Sequence, residues 1–159
     1  MASKNTNKAI TFISRRAPYG DSNAQLCLEM ALACDLTVAA ENALFGEPEV
    51  SIASGVVALL LPWFTGPKLA KELLLTGDTK VSAERIYEMG LINRVVALDD
   101  LRGTALELAE TIAMNDRFSV EITKRAINRS LEIGGMRKAL LDAFEADIAI
   151  ETAESDEAK

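Results

Sequence analysis

NAQLCLEMALACDLTVAAENALFGEPEVSIASG, residues Asn23 to Gly55, is the stretch around which the rest of the chain is organised. From Ala24 to Cys34 it is dense in apolar residues, with Glu29 in the middle. That density predicts a helix buried nearly all round. A carboxylate inside such a helix either reaches an exit or belongs to a site. The alternative is a narrow solvent stripe that Glu29 shares with Gln25. Leu36–Ala40 reads as a short strand and Ala43–Phe45 as a second, with Glu41-Asn42 as the turn between them. In Phe45-Gly46-Glu47-Pro48-Glu49, Pro48 excludes helix interior and biases Glu47 to extended backbone. If the segment is extended, its side chains alternate and only one of Glu47 and Glu49 faces inward. Glu29 and Glu49, twenty positions apart, put one carboxylate on a helix and one on a loop. Paired carboxylates of this kind are suited to acid–base chemistry on a small substrate.

Working outward, composition narrows the function. A chain of 159 residues suggests one domain. Its 49% apolar content supplies a core, and with only 5% aromatic residues Leu, Ile, Val and Ala must build it. A formal net charge of −7 argues against nucleic acid as a partner, since phosphate binding relies on clustered Lys and Arg. The absence of histidine removes Ser-His-Asp and Cys-His nucleophiles and His-ligated metals, and no metal motif is present. Cys27 and Cys34 lie seven apart on one helix, too far for a disulfide, which needs Cα atoms within about 7 Å. They read as packed thiols in a reduced, cytoplasmic setting. The apolar run Ala9–Ile13 is short of the roughly 7–15 residues of a signal peptide core. Gly55–Phe64, interrupted by Pro62, is far short of the roughly 20 residues of a membrane span.

The remaining elements follow from caps and breakers. Ala9–Ile13 reads as a strand and Pro18–Asn23 as a turn, with Ser22 or Asn23 capping the next helix. Gly55 opens a helix that Pro62 kinks or divides. Trp63 reads as a core or interface anchor. Pro67 starts a helix to Leu75, and Gly77 suits the left-handed position that ends it. Ser82 caps a short helix reaching Met89-Gly90, and Leu91–Ala97 is extended. Asp99 or Asp100 caps a helix to about Met114, and Asp116 or Ser119 begins another to about Ile133. Gly134-Gly135 breaks the chain before a last helix, Met136 to about Ala153, with Leu140, Leu141, Phe144 and Ile148 at helical spacing. The acidic end, ETAESDEAK, is expected to fray.

From about Leu28 to Ala153 the sequence resembles the second half of a crotonase-superfamily protein of the enoyl-CoA hydratase/isomerase group. The resemblance is carried by Glu29 and Glu49 in LEMALACDLTVAAENALFGEPE, by LLLTGDTKVSAERIYEMGLINRVV, and by Lys124 in VEITKRAI. It implies a helix-rich α/β fold, an incomplete crotonase-like ββα spiral with C-terminal helices. The regions would be a divergent N-terminal segment (1–22), a partial core (23–97) and a C-terminal helical region (98–159). It also implies acyl-CoA thioester substrates, with coenzyme A as part of the substrate and no separate cofactor, and a homo-oligomer, a trimer or dimer of trimers. Glu29 and Glu49 would be the catalytic pair that adds water across an α,β double bond. The backbone at Leu26 would hold the thioester oxygen, and that at Gly55 would place the water. Gln25, Leu26 and Cys27 stand where the family usually has glycines, and no upstream oxyanion segment or final lysine-bearing segment is found. Lys68, Lys71 and Lys124 read as solvated, with some near CoA phosphates in a family member. A catalytically impaired relative serving as an oligomerisation or binding module is the alternative.

Overall fold

The computed structural model describes residues 10–13, 22–52 and 60–157. The elements in chain order are β1 (Ile10–Ile13), α1 (Ser22–Ala33), β2 (Leu36–Ala40), β3 (Leu44–Phe45), a 3-10 turn (Glu49–Ile52), α2 (Leu61–Thr65) and α3 (Pro67–Thr76). They continue with β4 (Val81–Ser82), α4 (Ala83–Glu88), β5 (Arg94–Val96), a 3-10 turn (Leu98–Asp100), α5 (Leu101–Ala113), α6 (Arg117–Ile133) and α7 (Met136–Glu157). β1, β2 and β5 form a parallel sheet in that order, and β3 pairs antiparallel with β4.

β2 sits at the centre because both of its faces are covered. Val38 and Ala40 pack with Leu101 and Ala105 of α5. Ala39 points the other way, into a cluster with Leu28 and Leu32 of α1, Phe45, Leu73 and Ile86. A strand buried on both faces reads as an unbroken apolar run, as LTVAA does. Its one polar side chain, Thr37, is satisfied: Thr37 Oγ1 donates to Ala31 O at 3.1 Å. β5 joins β2 from more than fifty residues away through Asn93. The Thr37 N–H donates to Asn93 Oδ1 at 2.7 Å, and the Asn93 N–H donates to Thr37 O at 2.9 Å.

Several expected boundaries hold for the reasons given. Gly77 ends α3 at φ 61°, Ser82 Oγ accepts from the Arg85 N–H at 3.2 Å, and Asp116 Oδ1 accepts from the Ser119 N–H at 2.8 Å. Gly135, at φ 98°, turns α6 into α7. Others are corrected. α1 is not buried all round, since Met30 is 55% exposed and Ala33 is exposed. Ser22 and Asn23 lie inside α1 rather than capping it. Pro62 sits in the first turn of α2, where a missing N–H costs nothing; the segment before it that Pro62 was expected to divide from α2 lies outside the described residues. Asp100 occupies the start of α5 in helical geometry and makes no capping bond with its side chain. α7 runs to Glu157, past the expected end at Ala153. The expected helix opening at Gly55 and turn at Pro18 lie outside the described residues.

α6 and α7 form a hairpin held to the core by few contacts. α6 buries no residue fully, and in α7 Ala143 is buried. Lys124 Nζ pairs with Asp35 Oδ2 at 2.5 Å, so this lysine bridges to the end of α1 rather than standing solvated. At the bend, a methyl group built on Gly134 would lie 3.5 Å from Trp63 Cζ3.

Phe45 is fully buried where β3 leads into the acidic turn. Phe45→Ala should cost about 3–5 kcal/mol, read as a lower urea midpoint with an unchanged m value.

Candidate active site

The acidic turn is positioned by a close approach between two backbones. A Cβ on Gly46 would fall 2.3 Å from Thr79 Cα and 2.6 Å from Asp78 O, so only glycine fits. One residue on, the Glu47 N–H donates to Asp78 O at 3.3 Å. Pro48 then redirects the chain, and its carbonyl accepts from both the Ser51 N–H at 2.8 Å and Ser51 Oγ at 2.6 Å. The 3-10 turn therefore begins at Glu49.

That geometry overturns the expected alternation. Glu47 is 3% exposed and Glu49 is 5% exposed, so both carboxyls face inward. Alternation holds for an extended strand. Here the chain leaves the extended region between the two glutamates, and the turn swings Glu49 back to the side of Glu47.

Burial is the main reason that the Glu47 carboxyl is pushed up to about 9. The charges of Glu49 and then Glu29 add to it, followed by a side-chain contact with Glu49. Glu49 is also raised, by burial, offset in part by its own backbone N–H and by Glu47. These neighbours are close without being aligned as hydrogen bonds between ionised groups. Glu47 Oε1 and both Glu49 carboxyl oxygens are shut away from solvent with no hydrogen-bond partner. Glu29, half-buried on α1, lies close enough for its charge to act on Glu47. The charges of Glu29 and Glu49 both act on Glu47.

Sequence reasoning named Glu29 and Glu49 and left Glu47 undecided. The signal for Glu47 was the glycine before it, since a backbone packed that tightly carries its neighbour inward. Leu26 lies in α1 one turn past its start. It falls beyond the four N–H groups that a helix N-terminus leaves without intrahelical acceptors. Gly55 lies outside the described residues. Lys68 and Lys71 are exposed on α3. Among the described residues, no group of three or more acidic or thiol side chains is arranged to hold a metal ion.

A sequence model of the enoyl-CoA hydratase/isomerase family matches residues 24–159. The chain is 39% identical over 114 residues to mevalonyl-coenzyme A hydratase of Aspergillus fumigatus, covering 70% of this chain and 42% of that protein. It is 34% identical over 113 residues to the short-chain-enoyl-CoA hydratase of Clostridium acetobutylicum, covering 65% and 41%. The chain therefore spans about two fifths of the length of the curated relatives it matches. Among solved structures it resembles an enoyl-CoA hydratase/isomerase from Xanthobacter autotrophicus, with a TM-score of 0.77 and 50% identity. That match covers 80% of this chain and 47% of the other.

Two outcomes follow from the geometry. Gly46→Ala should destabilise by about 3 kcal/mol or more, because backbone rather than a flexible side chain fills the space; chemical denaturation measures it. A carboxyl raised in the folded state keeps a proton that the unfolded chain releases. The stability that Glu47 contributes is therefore full below about pH 4.5 and lost as pH rises toward 9. Unfolding free energy should fall by about 2–3 kcal/mol from pH 5 to pH 7, and Glu47→Gln should flatten that decline.

Proposed function

This chain belongs to the enoyl-CoA hydratase/isomerase family, and from that premise we propose that it adds water across the double bond of an α,β-unsaturated acyl-CoA thioester. Its helix-rich α/β architecture is part of the crotonase-like fold. One observation supports the reading above others: Glu29 on α1 and Glu49 on the 3-10 turn both act on the buried carboxyl of Glu47.

In the proposed step, one of Glu29 and Glu49 holds the water and takes its proton as the water oxygen bonds to the β-carbon. The other gives a proton to the α-carbon. The π electrons of the double bond end in the new C–H bond, one water is consumed, and nothing is oxidised or reduced. Charge builds on the thioester oxygen meanwhile, and backbone N–H donors aimed there would supply much of the rate. We assign one such donor to Leu26 and the placing of the water to Gly55. Because the Leu26 amide lies a turn inside α1, its use requires that first turn to open when a thioester binds. Coenzyme A enters as part of the substrate, and we assign the step no further cofactor.

The test is loss of the conjugated thioester absorbance when the protein is mixed with crotonyl-CoA. Glu29→Gln and Glu49→Gln should each slow hydration by about 10²–10⁴-fold. Equal rates in the native chain and both variants would end the reading.

The hairpin supports a second role, assembly into a homo-oligomer, a trimer or dimer of trimers. Phe118 and Ile122 on α6 and Leu141, Phe144 and Ile148 on α7 are exposed. Apolar faces of this kind mark association surfaces. Light scattering after size exclusion should return a multiple of the 17.2 kDa chain mass; a monomer would remove the role.

A further inference from the structure

Glu47 presents a problem that the hydration step does not use. Its side chain is 3% exposed beside a second carboxyl that is 5% exposed. Glu47 Oε1 and both Glu49 oxygens have no hydrogen-bond partner. Two ionised carboxylates in that position would each face an unanswered charge, and a buried charge without a partner is costly. The ion pairs among the described residues engage other acids, including Asp35, Glu72, Glu88, Glu121 and Glu132, and none engages Glu47 or Glu49.

Among the described residues, the charged groups that face Glu47 are acidic. Glu49 faces it from the same turn and Glu29 from α1. From the loop between α3 and β4, Asp78 offers its backbone carbonyl, while its own carboxylate accepts from the Lys80 N–H at 2.8 Å. Among the described residues, the side chain facing Glu49 that can donate to it is that of Glu47, as a carboxylic O–H.

We propose that Glu47 is a positioning residue for Glu49: it stays a carboxylic acid, and its O–H donates to the Glu49 carboxylate and fixes that group for acid–base work. The role rests on the hydration reading given above and adds a third carboxyl to the pair. A shared proton satisfies both groups, because two adjacent carboxyls resist ionising together. Glu47 is the member that keeps it. Burial, Glu49 and Glu29 all raise Glu47, whereas Glu49 has its own backbone N–H to favour its charged form. The clamp at Gly46 and the Glu47–Asp78 backbone bond hold the donor in place.

The first experiment needs no activity. Infrared spectra of the full chain at neutral pH should show the carbonyl stretch of a protonated carboxyl. That band should vanish in Glu47→Gln and persist in Glu29→Gln. Its absence from the native chain, or its survival in Glu47→Gln, overturns the proposal. The second reads crotonyl-CoA hydration against pH. In Glu47→Leu the lost donor should raise Glu49, moving the acid limb to higher pH and lowering kcat at least tenfold with KM little changed. Glu47→Gln, whose amide N–H can replace the O–H, should restore the acid limb and lack the native loss of rate near pH 9. An acid limb that Glu47→Leu leaves in place overturns the positioning role. A native chain that hydrates nothing defeats the hydration reading instead, and the infrared band still decides where the proton resides.

Discussion

The close approach of Gly46 to the backbone of Asp78 and Thr79 is the constraint on which the rest of the site depends. It locks the end of β3 to the loop before β4, next to the two-residue ladder that pairs those strands. With the chain pinned there, the Glu47 N–H is held on Asp78 O and the carboxyls that follow are buried. Pro48 and the 3-10 turn then rotate Glu49 toward Glu47. The cost is two carboxyls out of water, which a fold accepts where the groups are used. Strong neighbours make it tolerable: Phe45 on one side of the pin and Val81 across the ladder are both buried.

The parallel sheet is the second support. β2 carries core on both faces, and α1, which bears Glu29, is seated against one of them by Leu28 and Leu32. The position of Glu29 relative to the acidic turn therefore follows the helix-to-sheet packing. Asn93 extends the same frame to β5 by occupying both main-chain groups of Thr37. A lesion in that frame would disturb the site without touching an acid.

Much of this was legible in the sequence because local chemistry decides it. Gly77, Ser82, Asp116 and Gly134-Gly135 end or begin helices through their own backbone or side-chain bonds, and those elements fall where expected. The pair Glu29 and Glu49 stood out because each breaks a local pattern. What escaped was set by distant segments. That Glu47 is buried depends on residues 78 and 79, some thirty positions on, and strand alternation has no means of anticipating a turn that starts one residue early. Met30 is exposed although the sequence made α1 apolar nearly all round, because which faces of a helix find neighbours is decided by distant segments.

The chain's one tryptophan stands at the joint between the core and the C-terminal hairpin, with Trp63 beside the bend at Gly134. Nature has thus put a built-in optical gauge at the seam. Its emission therefore reports on the seam itself, where the hairpin meets the core.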